Sequence, residues 1–255
     1  MLNIADYPLL LFAVALVFIW GSIRIGVFLS SRLGSLREDV QKELETVEAA
    51  TLTLLGLLIG FTFSMAISRY DERKMYEEAE ANAIETEYVR ADLLPAAEGE
   101  KVRALLRDYL GQRMLFYSTG NPQELRQIRA RTARLQTELW STVVGVVTVR
   151  STPMVALAIS GLNDVLNSRG NAEAARQNRI PMESWGLLTV IAIICGLMLG
   201  VGARNAKGER VLVSVLPAVV SISFLLIADI DSPATGLIRV TPESLTALSS
   251  SLSSQ

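Results

Sequence analysis

Four apolar runs divide the chain, and each is long enough to cross a lipid bilayer. They cover residues 9–29, 49–68, 185–203 and 211–230. A transmembrane helix needs about 20 predominantly apolar residues. Arg24 interrupts the first run near one end, where a long basic side chain can reach the membrane interface. The pattern therefore predicts four membrane-spanning helices.

Small residues recur at strict four-residue spacing in two of these runs. A spacing of four places residues on one face of a helix. Small residues on such a face allow the backbone of another membrane helix to come close. We therefore expect two helix-packing faces. They comprise Gly56, Gly60, Ser64 and Ser68 in the second run, and Gly196 and Gly200 in the third.

A long polar insert separates the second run from the third, and its pattern predicts an all-helical domain. Residues 69–94 contain neither Gly nor Pro, so the second membrane helix should continue outward to about Leu94. Another helix is expected over residues 100–118. Helix-start signals then occur at Asn121–Pro122 and at Thr152–Pro153, with the last helix ending near Gly170.

The C-terminal residues are rich in serine. Thr241 and Pro242 predict the start of a short amphipathic helix that fades into disorder by Ser249. No segment shows a strand pattern, so the predicted fold class is an all-α membrane protein. The expected parts are two spans (1–68), the helical domain (69–184), two more spans (185–232) and a tail (233–255).

Charge is unevenly distributed within the insert. Residues 69–94 hold eight acidic and four basic side chains, whereas residues 101–134 hold eight basic and two acidic ones. One interpretation is a pair of neighbouring helices whose charges form solvated ion pairs of little individual value. Another is an electrostatic lining that concentrates ions near a pore. The net charge of −2 gives no indication of a nucleic-acid partner.

Few residues suited to catalysis are present. The chain has no histidine, and its single cysteine, Cys195, lies in an apolar run where an inert buried thiol is expected. We find no nucleophile–base pair, phosphate-binding loop or zinc-ligand spacing, so we do not expect an enzyme.

Asp229 and Asp231 close the fourth apolar run. Two carboxylates are oxygen ligands suited to a hard cation such as calcium. Residues two apart point to different sides of a helix, however, and the alternative is a polar helix end in water.

Several segments resemble a known family. The sequence GFTFSMAISRY (60–70) is similar to the second-span signature of bestrophins, and DIDSPATG (229–236) is similar to the segment after their last span. The segments GLLIGFTFSMA, RYDERK and EANAIETEYVRADLLP resemble more closely a family of bacterial bestrophin-like membrane proteins. The order of two spans, a helical insert and two spans matches as well.

Bestrophins are pentameric ion channels, and the resemblance implies the same architecture here. It implies a neck lined by Thr53, Leu57 and Phe61, on a face about 60° round the helix from the small-residue face. Thr53 is polar where the family has an apolar residue. The resemblance also implies that Asp229 and Asp231 contribute to a calcium site, and no other cofactor is expected.

The resemblance also implies a location in the bacterial cytoplasmic membrane, with both termini and the helical domain in the cytoplasm. Charge alone leaves this orientation open, because basic residues near the spans are almost equally numerous on both sides. The expected partners are lipid, further copies of the chain and inorganic ions. The alternative function is a non-conducting membrane scaffold or sensor whose helical domain binds a partner.

Overall fold

The computed structural model describes residues 7–33, 38–149, 152–202 and 210–254, and within these ranges the chain is helical without strands. The predicted all-α class is therefore confirmed. The helices are α1 (Pro8–Leu33), α2 (Glu38–Arg90), α3 (Ala96–Ser118), α4 (Pro122–Val149), α5 (Pro153–Gln177), α6 (Met182–Gly202), α7 (Arg210–Asp231) and α8 (Glu243–Ser253). A short 3₁₀ turn, Ala91–Leu93, follows α2.

Four helical stretches in the described ranges are long and apolar enough to cross a membrane. The predicted spans lie in α1, α2, α6 and α7, as expected. The predicted end of the third span, Ala203, and the connection through residues 204–209 lie outside the described residues.

Helix α2 is much longer than a membrane span. Its 53 residues correspond to about 80 Å of helix, against a hydrocarbon core of about 30 Å. Only its apolar part, residues 49–68, is suited to the bilayer. The prediction that the second apolar run continues without a break into the insert is confirmed, with the helix ending at Arg90 and the 3₁₀ turn at Leu93.

The chain forms two compact units, and their boundary falls within α2. The first, which we call the membrane unit, comprises Met1–Ser68 and Arg179–Ile238. The second, which we call the helical unit, comprises Arg69–Asn178 and Arg239–Gln255. Helix α8 is therefore part of the helical unit, whereas the sequence suggested a separate tail.

In the membrane unit, α1 packs against both α6 and α7. The enclosed side chains include Ile19 and Ile23 of α1 and Leu188 of α6. Trp185 of α6 meets Phe224 of α7 edge to face, with ring centroids 5.8 Å apart. Cys195 is buried in the same unit, as the sequence predicted.

In the helical unit, one apolar core joins α3, α4, α5, α8 and the outer part of α2. The two helix starts that the sequence predicts in this unit, those of α4 and α5, are confirmed by their N-terminal caps. The Asn121 side chain accepts a hydrogen bond from Gln123 N (2.9 Å). The Thr152 hydroxyl accepts one from Val155 N (3.3 Å), so each satisfies an otherwise free amide in a first helical turn.

Two predicted helix ends are wrong. Helix α5 continues through Gly170 to Gln177, because a single glycine weakens a helix without ending it and the following residues include three alanines. Helix α8 continues past Ser249 to Ser253. Its leucines at 245, 248 and 252 are buried in the core, and this burial stabilises a serine-rich segment of low intrinsic helix propensity.

Candidate functional site

The membrane part of α2 has one buried face and one open face. Leu55, Thr62 and Ala66 are buried, and their spacing of seven and four residues places them on the same side of the helix. The opposite side is exposed. It carries all seven α2 residues that the sequence assigned to a neck or a packing face: Thr53, Gly56, Leu57, Gly60, Phe61, Ser64 and Ser68.

The three predicted neck residues present mostly apolar groups on this open face. Leu57 is 53% exposed and Phe61 62% exposed, although both are large apolar side chains. The Thr53 hydroxyl donates a hydrogen bond to the Ala49 carbonyl one turn earlier, at 2.8 Å. The hydroxyl hydrogen of Thr53 is therefore already bonded within the helix. Thr53 would present a less polar surface to the neck than a free hydroxyl group would.

The predicted packing glycines fall into two groups. A Cβ atom built on Gly56 or Gly60 would meet none of the described residues within 4 Å, so this part of the chain does not fill these positions. A Cβ on Gly200 would clash with the Ile23 carbonyl and lie 3.0 Å from Gly26 Cα. Gly196 and Gly200 therefore lie directly against α1, and Gly26 is a contact residue that the sequence analysis missed.

Asp229 and Asp231 are both buried, so the interpretation of a polar helix end in water is wrong. The Asp229 oxygens accept hydrogen bonds from Leu237 N and Ile238 N, each at 2.8 Å. The Asp231 carboxylate accepts from Ile180 N (3.2 Å). Asp231 thus holds the residue that precedes α6, and Asp229 holds the two residues that follow α7. The two carboxylates bind different segments.

Both carboxylates are already engaged by protein donors. Across the described ranges, no three His, Cys, Asp or Glu side chains are grouped so that they would hold a metal ion. Calcium binding by Asp229 and Asp231 stays a prediction. In this structure the two carboxylates hold neighbouring backbone segments through hydrogen bonds.

The outer part of α2 carries a second feature, which we call the buried polar stripe: Arg73, Glu77, Glu80 and Glu87. These side chains are 0–6% exposed. They share a helix face with the buried residues Ile84 and Ala91, because the positions follow one another at intervals of four and three residues. The burial of these acids was not predicted, although their spacing along the sequence indicates a face toward the core.

Each acid of the stripe has a different environment. Glu77 accepts a hydrogen bond from Leu245 N at the start of α8 (2.9 Å). Glu80 binds Arg113 of α3 through two guanidinium nitrogens, with Nη2 3.1 Å from Oε2. Neither oxygen of Glu87 has a hydrogen-bond partner among the described residues. The expectation of purely solvated ion pairs is therefore wrong for Glu80 and Arg113, whose side chains are fully enclosed.

The comparisons with known proteins agree with this architecture. A model of the bestrophin-like domain matches residues 13–245. No curated protein matches the sequence significantly.

Solved structures share the fold at low identity. One variant of a bacterial bestrophin homologue from Klebsiella pneumoniae is 15% identical, with a TM-score of 0.66 over 97% of each chain. A second variant is 14% identical, with a TM-score of 0.67 over 93% of this chain and 96% of the other. A structure described as a membrane protein is 13% identical, with a TM-score of 0.66 over 94% and 97%. Since the family match covers most of the 255 residues, this chain belongs to the bestrophin-like family.

Proposed function

We propose that the protein is an oligomeric ion channel whose neck is lined by the membrane part of α2. The observation that carries the proposal is the open face of this helix. A single chain buries Leu55, Thr62 and Ala66 but leaves the opposite side uncovered. Membership of the bestrophin-like family supports a channel rather than an enzyme.

The open face has two parts that suit different neighbours. Thr53, Leu57 and Phe61 would face a central axis, where a ring of apolar side chains gates ion passage by excluding water. Gly56 and Gly60 have free space above them, which a neighbouring copy of the chain would fill. A closed ring of identical subunits satisfies both parts at once, and five subunits are favoured by the family resemblance alone.

The proposed location is the bacterial cytoplasmic membrane, with both termini and the helical unit on the cytoplasmic side. This orientation follows from the resemblance to bestrophins. Cysteines placed singly at exposed positions of the helical unit test it, since a membrane-impermeant thiol reagent should label them in broken but not in intact cells.

Ion flux from liposomes that contain the purified protein tests the channel proposal. Replacing Phe61 with alanine removes the widest apolar group from the proposed neck, so flux should increase. Phe63→Ala is the matched control, because Phe63 is also an exposed phenylalanine of α2 but lies about 160° round the helix. Absence of flux from the wild-type protein and from Phe61→Ala would contradict the proposal.

The alternative is a non-conducting scaffold or sensor whose helical unit binds a partner. The uneven distribution of acidic and basic residues in the insert is the observation that favours this alternative. Part of that separation is accounted for internally, because Glu80 pairs with Arg113 and Asp92 pairs with Arg103. Partners that are captured by the full chain and lost on deletion of residues 69–184 would favour the alternative.

A further inference from the structure

Glu87 is a buried acid whose carboxylate is not hydrogen-bonded to any described residue. The side chain is fully enclosed in the helical unit, well beyond the apolar part of α2. Within the described residues, neither of its carboxylate oxygens has a hydrogen-bond partner. Buried polar groups are nearly always paired, and an unpaired ionised carboxylate in such a site is strongly disfavoured. The environment therefore favours the form that carries a proton.

The carboxyl group lies in a gap that exists because α5 has a glycine at this point. A Cβ atom on Gly161 would clash with Glu87 Oε2. The same atom would lie 2.6 Å from Nη1 of Arg90, the basic residue one turn further along α2. Glu87 and Arg90 thus share one gap against the α5 backbone.

Arg90 lies beside Glu87 but forms its hydrogen bond and ion pair with α5. Its Nη1 lies 3.5 Å from the Leu157 carbonyl oxygen and 3.9 Å from Asp164 Oδ2. The Arg90 side chain is 30% exposed and that of Asp164 64% exposed, so the guanidinium has room to change partners.

Three influences act on the Glu87 proton. Burial raises the pKa of Glu87 to about 8, while Arg90 lowers it and Asp164 raises it. Arg90 and Asp164 are the charged groups that act on Glu87 from α2 and α5. At neutral pH the carboxyl group is therefore mostly protonated and uncharged.

We propose that Glu87 is a proton-binding site that switches the contact between α2 and α5. With the proton bound, the neutral carboxyl group occupies the gap over Gly161 and Arg90 binds Leu157 O and Asp164. When the O–H bond breaks and the proton passes to solvent, the carboxylate acquires a charge that Arg90, the neighbouring basic residue of α2, is placed to neutralise. Arg90 then turns toward Glu87 and releases its contacts with α5. This switch belongs to the helical unit and does not require ion conduction.

Infrared titration of the full-length protein in lipid nanodiscs tests the proton site directly. A buried protonated carboxyl group gives a carbonyl band that disappears on deprotonation. We expect such a band to be lost with a midpoint near pH 8 and to be absent from Glu87→Gln. Glu85→Gln, which changes an exposed acid of the same helix, should retain it. An identical titration in the wild-type protein and in Glu87→Gln would overturn the proposal.

Two further variants test the switch even if Glu87→Gln does not fold. Arg90→Met removes the group that favours the charged form, so the midpoint should move to higher pH. Asp164→Asn removes the group that disfavours it, so the midpoint should move to lower pH. Opposite shifts of the titration midpoint in the two variants would support Glu87 as the proton-binding residue. An unchanged midpoint, or shifts in the same direction, would refute it.

Hydrogen exchange measures the movement of α5. At pH 9, amides of residues 157–165 should exchange several-fold faster in the wild-type protein than in Glu87→Gln at the same pH. Equal exchange in the two proteins would show that proton loss leaves the contact unchanged and would overturn the switch.

Discussion

Glu80 of α2 and Arg113 of α3 form an ion pair from which solvent is excluded, since neither side chain has exposed surface. The hydroxyls of Tyr109 and Tyr117 also lie within hydrogen-bonding distance of the Glu80 carboxylate. Removing one member of a buried pair leaves the other charge uncompensated.

Glu80→Gln should therefore lower the free energy of unfolding by about 3–5 kcal/mol. Chemical unfolding of the detergent-solubilised protein measures the change. Glu100→Gln is the control, because Glu100 pairs with Arg103 at an exposed position and should cost less than about 1 kcal/mol. A double replacement, Glu80→Met with Arg113→Leu, should recover much of the loss. Equal effects of the two Gln variants would contradict this account.

Glu77 should control the attachment of α8. Its carboxylate accepts the Leu245 amide, one of the amides at the start of α8 that lack a partner within the helix. Glu77→Ala should therefore make the C-terminal helix several-fold more sensitive to limited proteolysis. Glu78→Ala, at the neighbouring exposed position, should leave cleavage unchanged. Unaltered cleavage in Glu77→Ala would show that the buried leucines of α8 are sufficient.

Gly200 and Gly186 lie on the same helix but in different surroundings. A Cβ on Gly200 would meet the backbone of α1, whereas one on Gly186 would meet none of the residues that the structure describes within 4 Å. Gly200→Ala should lower the free energy of unfolding by about 1–3 kcal/mol through overpacking, while Gly186→Ala should be neutral or slightly stabilising. Thermal unfolding of the purified variants distinguishes the two outcomes, and equal midpoints would contradict close packing at Gly200.

Gly60 should affect assembly rather than the fold of the single chain. Because a Cβ atom at Gly60 would meet none of the described residues within 4 Å, Gly60→Leu should leave the helical content unchanged. If neighbouring copies fill that space, the same variant should form smaller particles, as measured by native mass spectrometry. Gly21→Leu is the control, since a Cβ atom at Gly21 of α1 would also meet no described residue within 4 Å. Particles of the same size in both variants would argue against a subunit contact at Gly60.

Glu87 should make stability depend on pH. Its pKa rises from an ordinary value of 4.5 to about 8 in the folded protein, so the folded state binds the proton more tightly than the unfolded state. The resulting contribution is fully present below about pH 4.5 and is lost as pH rises through about 8. The unfolding midpoint should fall between pH 6 and 9 by more in the wild-type protein than in Glu87→Gln. Parallel curves would contradict a raised pKa.

Structural elements that depend on local rules could be predicted from the amino-acid sequence alone. Four apolar runs of sufficient length predicted the membrane helices. The absence of Gly and Pro from residues 69–94 predicted that α2 continues without a break. Asn121–Pro122 and Thr152–Pro153 predicted helix starts, because a cap and a following proline act within a single turn.

Long-range packing determines which polar residues are enclosed and which apolar residues stay exposed. In the sequence, Glu77, Glu80 and Glu87 are not distinguished from the other acids of the insert. They are buried because α8, α3 and α5 pack against one face of α2. Helix α8 persists to Ser253 for the same reason, since its leucines gain stability only from the core they join. Burial and pairing arise from segments distant in sequence, whereas helix starts, apolar length and the spacing along one face are properties of neighbouring residues.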